Sequence, residues 1–126
     1  MFKRILQLLA PVALLALIPA PALAQPAQLR LEIRIAQSAP PRARHERKPP
    51  RPDRDSIWIK GFWHWEGVRW DWVIGRWERP EQPTHRWVAP RYVREGAIWR
   101  YEPPHWSHQQ LVEGDEYRHW KDEHHR

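Results

Sequence analysis

Apolar and charged residues alternate in the stretch that precedes the proline-rich part of the chain. The apolar positions of this stretch are Leu29, Leu31, Ile33 and Ile35. A period of two residues is typical of a β-strand that has one face in water and the other against a core. The pattern predicts one short, isolated strand within residues 25–37.

A second pattern is a palindrome of aromatic residues around a short turn. Its rings stand at Trp63, Trp65, Trp70 and Trp72, on either side of Gly67 and Val68. A glycine at the first of two central positions is typical of a type II′ turn, whose twist suits antiparallel strands. We therefore expect a hairpin with Trp65 opposite Trp70 and Trp63 opposite Trp72. This segment resembles the designed peptides known as tryptophan zippers.

Two outer tryptophans extend the palindrome but break its alternation. Trp58 lies five residues before Trp63, and Trp77 lies five residues after Trp72, so regular strands would turn these rings to the opposite face. Gly61 and Gly75 lie within these gaps, and a glycine inside a strand often marks a bulge. One bulge in each strand would return the outer rings to the face of the inner four.

The same frame returns 29 positions later in weaker form. Copy one covers residues 58–77 and copy two covers residues 87–106, within a repeat region of residues 57–106. The positions that continue the aromatic face are Tyr92, Trp99 and Tyr101, and the turn glycine is Gly96. Arg94 opposes Trp99, which predicts a cation–π pair. Because Pro90 and Pro104 replace the two inner glycines of copy one, we expect this hairpin to be shorter or to lie at an edge.

The remaining segments show little apolar periodicity. Residues 38–56 are rich in proline and arginine and are predicted to be an extended basic linker. Residues 107–126 are a polar, histidine-rich tail, largely irregular, whose one helical signal is the spacing of Tyr117, Trp120 and His124 after Asp115. The predicted fold class is all-β, built from short antiparallel hairpins.

The N-terminus has the pattern of an export signal. Lys3 and Arg4 precede a short apolar run, and small residues end at Ala24, so residues 1–24 are predicted to be a cleaved signal peptide. Removal of Lys3 and Arg4 lowers the formal charge from +6 to +4. The chain has no cysteine, which excludes disulfides, thiolate chemistry and a lipoprotein anchor. We expect a protein of the periplasm, or a secreted one, that is not integral to the membrane.

The tryptophan spacing also carries a family resemblance. Residues 58–63 and 72–77 are two WxxGxW units, while residues 87–92 and 101–106 lack the glycine. With the export signal and the proline- and arginine-rich segment, the chain resembles the YXWGXW (WXXGXW) repeat family of small exported bacterial proteins. The resemblance implies a Gram-negative envelope protein without an established activity or catalytic residues. Some members of that family are linked to secretion systems for contact-dependent growth inhibition, so a role as an accessory factor is one alternative.

The aromatic residues are the main candidates for function. Flat rings on a hairpin can form the core, or they can stack on sugars or on apolar side chains of a partner. We expect a binding or assembly role, with peptidoglycan or another envelope protein as the partner. No catalytic motif is present, so we expect no enzyme activity and no cofactor. A basic segment of this size favours an anionic membrane surface over nucleic acid, because export removes the protein from most nucleic acid.

Histidines near the C-terminus offer a second interpretation. The candidates for a metal site are the pair His105 and His108, three residues apart, and the group His119, His124 and His125 beside Glu123. Neutral imidazoles suit zinc, copper or nickel. Their spacing does not define a coordination geometry, so a solvated tail is the favoured interpretation.

Overall fold

The computed structural model describes residues 31–126 and shows a mostly β protein with a short C-terminal helix. The predicted signal peptide lies outside the described residues. The strands are β1 Leu31–Ala36, β2 Ile57–Ile59, β3 Phe62–Trp65, β4 Trp70–Val73, β5 Arg76–Glu78, β6 Trp87–Val88, β7 Arg91–Glu95, β8 Ile98–Glu102, β9 His105–Trp106 and β10 Leu111–Glu113. Helix α1 spans Asp115–His124. The all-β hairpin class is confirmed.

The prediction that the first strand is isolated is wrong for β1. It lies inside a four-stranded sheet of order β10-β1-β8-β7. It pairs antiparallel with β8, where Ile35 faces Arg100, and parallel with β10, where Leu31 faces Leu111. These partners are far away in sequence, and the local alternation of apolar residues carries no information about them.

The first copy forms the predicted hairpin. Trp65 pairs with Trp70 and Trp63 with Trp72, and the Glu66 N–H donates to the Arg69 carbonyl at 2.9 Å. Gly67 has a φ of 101°, and no non-glycine residue among those described has a positive φ. A positive φ at the first central position alone is the signature of a type II′ turn, so both the turn and the register are confirmed.

The two inner glycines of copy one mark an interruption of the strands. Residues 60–61 and 74–75 leave the ladder, yet the pairing continues beyond them in the same register, with Trp58 opposite Trp77. A Cβ on Gly61 would overlap the ring of Trp72, and a Cβ on Gly75 would stand 2.5 Å from Cζ2 of Trp58. Each WxxGxW unit therefore places its first tryptophan over the glycine of the other unit.

Copy two repeats the register with different packing. Trp87 pairs with Trp106, and Tyr92 with Tyr101, on either side of an interruption that contains Pro90. Of the two alternatives expected for this hairpin, the shorter one is wrong for its inner part, because β7 and β8 have five residues each where β3 and β4 have four. The edge position is confirmed for β7, which follows Pro90 and ends the four-stranded sheet. The prolines lie in the interruption, where no ladder N–H is needed.

The predicted cation–π pair between Arg94 and Trp99 is also wrong. The two residues are cross-strand partners, but the Arg94 Nε donates to the Gly96 carbonyl at 3.4 Å. The side chain therefore turns toward its own turn. The register determines which residues are opposite each other, but it does not determine which nearby acceptor an exposed arginine side chain binds.

Two small clusters of buried side chains hold these elements together. One joins Ile35, Ile98 and Tyr117, so it fastens α1 to the sheet. The other joins Ala36, Trp65 and Tyr101, so it fastens the two hairpins to each other and to β1. The core is therefore built at the junctions between elements.

The prediction of a largely irregular tail is wrong, because most of its residues belong to a strand and a helix. The tail adds β10 to the sheet and then forms α1, which confirms the helical spacing noted in the sequence. The N-cap is Gly114, and Asp115 lies inside the first turn, where a negative charge favours the helix dipole. Across residues 31–126, no helix combines the length and the apolar character that crossing a membrane requires.

Candidate functional site: aromatic face, strap and groove

Cross-strand tryptophan pairs form the aromatic face of copy one. The ring centroids are 5.0 Å apart in the Trp65–Trp70 pair, 5.2 Å in Trp63–Trp72 and 5.5 Å in Trp58–Trp77. The Trp58–Trp77 and Trp63–Trp72 planes meet at 62° and 68°, an edge-to-face arrangement in which the positive edge of one ring meets the negative face of the other. The Trp65–Trp70 planes are tilted by 57°. Trp65 is buried, and the other five rings are half-buried.

The proline- and arginine-rich segment lies along this face, where the sequence predicts a linker. Four indole N–H groups donate hydrogen bonds to this segment. Trp72 donates to a side chain, and the other three donate to backbone carbonyls at N···O distances of 3.0 to 3.3 Å. These three bonds run from Trp63 to Arg42, from Trp70 to Ser38 and from Trp77 to Pro49. We call residues 38–49 the strap. Because Trp77 shares the strap with Trp63, the outer rings lie on the face of the inner ones, as the bulge hypothesis requires.

Charged side chains of the strap also contact the rings. The Arg44 Cζ lies 4.9 Å from the centroid of Trp63, and the Lys48 Nζ lies 4.6 Å from that of Trp77. A cation over an indole face is attracted by the ring quadrupole. The basic residues of the strap are thus part of its attachment to the aromatic face.

Glu46 anchors the middle of the strap. Its carboxylate accepts a hydrogen bond from the Trp72 Nε1 at 2.8 Å and another from the Gly75 N–H at 2.9 Å. The bond from Trp72, followed by the N–H groups of Gly75 and Gly61 and by the charge of Arg44, holds the pKa of Glu46 below its ordinary 4.5. The carboxylate therefore lies beside both glycines of the WxxGxW units.

Acidification is expected to loosen the strap. A carboxyl group with a lowered pKa in the folded protein contributes stability above 4.5, and this contribution is lost as the pH falls through the lowered value. We predict that the NMR signals of the Gly75 N–H and the Trp72 indole N–H titrate together, with a midpoint below 4.5. Glu46→Gln should abolish this titration, whereas Arg47→Gln, a change at the exposed neighbouring residue, should leave it intact. A midpoint at or above 4.5 would contradict the anchoring role.

The two hairpins meet through two tyrosines of copy two. The Tyr92 hydroxyl donates to the Trp63 carbonyl at 2.5 Å, and the Tyr101 hydroxyl lies 2.7 Å from Nδ1 of His64. Burial raises the pKa of Tyr92 to about 12 and raises the pKa of Tyr101 as well, so both hydroxyls stay protonated. Burial also lowers the pKa of His64, which favours a neutral ring whose Nδ1 accepts a hydrogen bond from the Tyr101 hydroxyl.

An apolar groove of about 490 Å³ runs between the strap and the two hairpins. Trp58, Trp63 and Trp72 of copy one line it together with Trp87 and Tyr92 of copy two. The strap adds Pro40, Pro41 and Ala43, and Lys60 is the one charged residue of the lining. The groove is an open cleft of aromatic rings and prolines with few polar groups.

The structure divides the sequence-predicted aromatic site. Four of its nine members line the groove: Trp58, Trp63, Trp72 and Tyr92. Trp65, Trp70 and Tyr101 belong to the packing between the hairpins, with Trp99 beside them, and Trp77 holds the strap. Sequence reasoning missed Trp87 and Glu46. Glu46 is the sole acidic residue within residues 38–52, and this isolation in a basic segment was the one feature of the sequence that could have indicated its role.

The histidines of the tail do not form one group. The Nε2 of His119 lies 3.2 Å from Glu123, while the ring of His124 stacks on Trp120 with centroids 4.7 Å apart. His125 meets the same Trp120 ring edge-on. Within residues 31–126, these three side chains are not brought together around a common point.

Comparison of the chain with protein-family models, with curated proteins and with solved structures gave no match. The resemblance to the WXXGXW repeat family therefore stays a prediction that depends on the tryptophan and glycine positions.

Proposed function

We propose that the protein is a non-enzymatic binding module of the bacterial envelope that takes an extended, proline-containing segment of another protein in its aromatic groove. The observation that carries this proposal is the strap. The chain already holds one extended, proline-rich segment against its tryptophans, with indole N–H groups on backbone carbonyls. Grooves lined by aromatic rings recognise proline-rich segments in this manner, because such segments are extended before they bind.

The chemistry of the groove favours a peptide over a sugar. A glycan needs several polar side chains to fix its hydroxyl groups, and Lys60 is the one charged residue of the lining. Prolines and other apolar side chains need flat apolar walls, which the Trp58, Trp63 and Trp87 rings provide. Export to the periplasm, where such a partner would be met, is part of this proposal.

Calorimetric titration with an oligoproline peptide tests the proposal. Trp87→Ala and Trp106→Ala both remove the Trp87–Trp106 ring contact, whose centroids are 5.3 Å apart, but only Trp87 lines the groove. We expect Trp87→Ala to weaken peptide binding at least about tenfold, which corresponds to about 1.4 kcal/mol. Trp106→Ala should bind within a factor of about three of the unchanged protein, since it removes the same ring contact without changing the groove wall.

Two results would contradict the proposal. Absence of peptide binding by the folded protein is one, and equal loss of binding in the two variants is the other. Retention on purified peptidoglycan without peptide binding would favour the glycan as the ligand.

A further inference from the structure

Two histidines from different loops face each other at the outer end of copy two. The register that pairs Trp87 with Trp106 continues outward, because the Ser107 N–H donates to the Arg86 carbonyl at 2.8 Å. The next opposed positions are His85 and His108. Their imidazole rings stack with centroids 3.8 Å apart and planes at 23°.

A carboxylate completes this cluster. Glu81 lies four residues before His85. The backbone N–H of His85 donates to the Gln82 carbonyl at 3.0 Å, and this turn brings Glu81 close to His85. One ligand atom from each of Glu81, His85 and His108 lies within 4.8 Å of the other two. Among the described residues, Nδ1 of His85 is a buried nitrogen without a hydrogen-bond partner. A buried nitrogen of this kind is costly unless something binds it.

Copy one shows what the same positions do without histidine. Ser56 and Arg79 stand where His85 and His108 stand in copy two, 29 residues later. There the carboxylate of Asp53 accepts from the Ser56 hydroxyl at 2.9 Å and pairs with Arg79 at 3.3 Å. At the outer end of copy one, these positions are joined by a hydrogen bond and an ion pair. At the outer end of copy two, three groups that can ligate a metal lie close together instead.

From this geometry we propose that Glu81, His85 and His108 bind a divalent transition-metal ion, with zinc as the best-suited ion. Two imidazoles and a carboxylate are borderline to hard ligands that suit zinc, copper and nickel. Around a tetrahedral ion the ligand atoms stand roughly 3.3 Å apart, since Zn–N distances are about 2.0 Å. Glu81 and His108 are exposed and can rotate inward by the difference, while His85 is held by its loop.

Four arginines line the same cleft as Glu81 and His85, and each has another acceptor. Arg86 donates to the Pro83 carbonyl at 2.8 Å and Arg51 to the Ser56 carbonyl at 3.1 Å, while Arg79 is paired with Asp53 and Arg54 with Asp55. The site is also separate from the aromatic groove, because none of the three ligand residues lines it. Metal binding would tie the loop between the two copies to the turn after β9, and it is independent of the proposed peptide binding.

Calorimetric titration with zinc ion alone, on protein that carries no histidine tag, tests this site. We expect binding of one ion, at least about tenfold weaker in His108→Ala, with a smaller loss in Glu81→Gln, because each change removes one ligand. The matched control combines His119→Ala, His124→Ala and His125→Ala, removes the tail histidines and should bind like the unchanged protein. Circular dichroism checks that each variant is folded.

A second readout uses the neighbouring Trp87–Trp106 pair. Copper ion bound at His85 and His108 should quench part of the tryptophan fluorescence in the unchanged protein, and His108→Ala should reduce this quenching. The proposal is overturned if zinc does not bind, if His108→Ala binds as tightly as the unchanged protein, or if the tail variant loses the binding.

Discussion

Tyr101→Ala is expected to lower the free energy of unfolding of the protein by about 3–5 kcal/mol. Tyr101 has no exposed surface and is among the largest fully buried side chains. Its ring stacks on Tyr92 and meets Trp70 edge-on, both at 5.6 Å between centroids, and it packs in one cluster with Ala36 of β1. Truncating a buried aromatic residue costs about 3–5 kcal/mol, and a small domain has a free energy of unfolding of about 5–15 kcal/mol.

Urea denaturation followed by tryptophan fluorescence measures this loss. Tyr101→Phe is the matched control, because it keeps the ring and removes the hydroxyl that bonds Nδ1 of His64. A single hydrogen bond of this kind contributes about 1 kcal/mol, so the Phe variant should remain well folded. If the two substitutions destabilised the protein equally, the hydroxyl rather than the ring would hold the hairpins together.

The inner hairpins could be predicted from the sequence because their information is local. A glycine at the first position of a two-residue turn fixes the register, and the register fixes every cross-strand pair outward from it. This is why Trp63 meets Trp72 and Tyr92 meets Tyr101 as expected. The same register, continued two positions beyond Trp87 and Trp106, would also have paired His85 with His108.

The strap could not be predicted in the same way. An extended proline-rich segment has no apolar periodicity, and this one binds largely through its carbonyl groups, which every residue type carries. The pairing of β1 with β8 and β10 was equally hidden, because alternation shows that a strand has a buried face but does not identify its neighbours. The groove could not be predicted from the sequence either, because one of its walls is the strap.

The glycines of the WxxGxW units are expected to be the second most sensitive positions. A methyl group at Gly61 would overlap the ring of Trp72 and stand 2.5 Å from the Glu46 Oε2, and one at Gly75 would meet Trp58 and the same carboxylate oxygen. The Trp72 ring cannot withdraw freely, because its N–H is bonded to Glu46 and the ring packs edge-to-face with Trp63. Overpacking of this kind costs about 1–3 kcal/mol per site.

Gly61→Ala and Gly75→Ala should therefore each lower the urea midpoint and shift the NMR signal of the Trp72 indole N–H as the Glu46 bond is displaced. Ile74→Ala is the control for a change in the same interruption, because the Ile74 side chain is 69% exposed and its loss should cost less than about 0.5 kcal/mol. Since Glu46 lies against both glycines, the two substitutions should not be additive: the first displaces the carboxylate that the second would also strike. Additive effects with an unshifted indole signal would mean that the glycines act through the strands alone, without the strap.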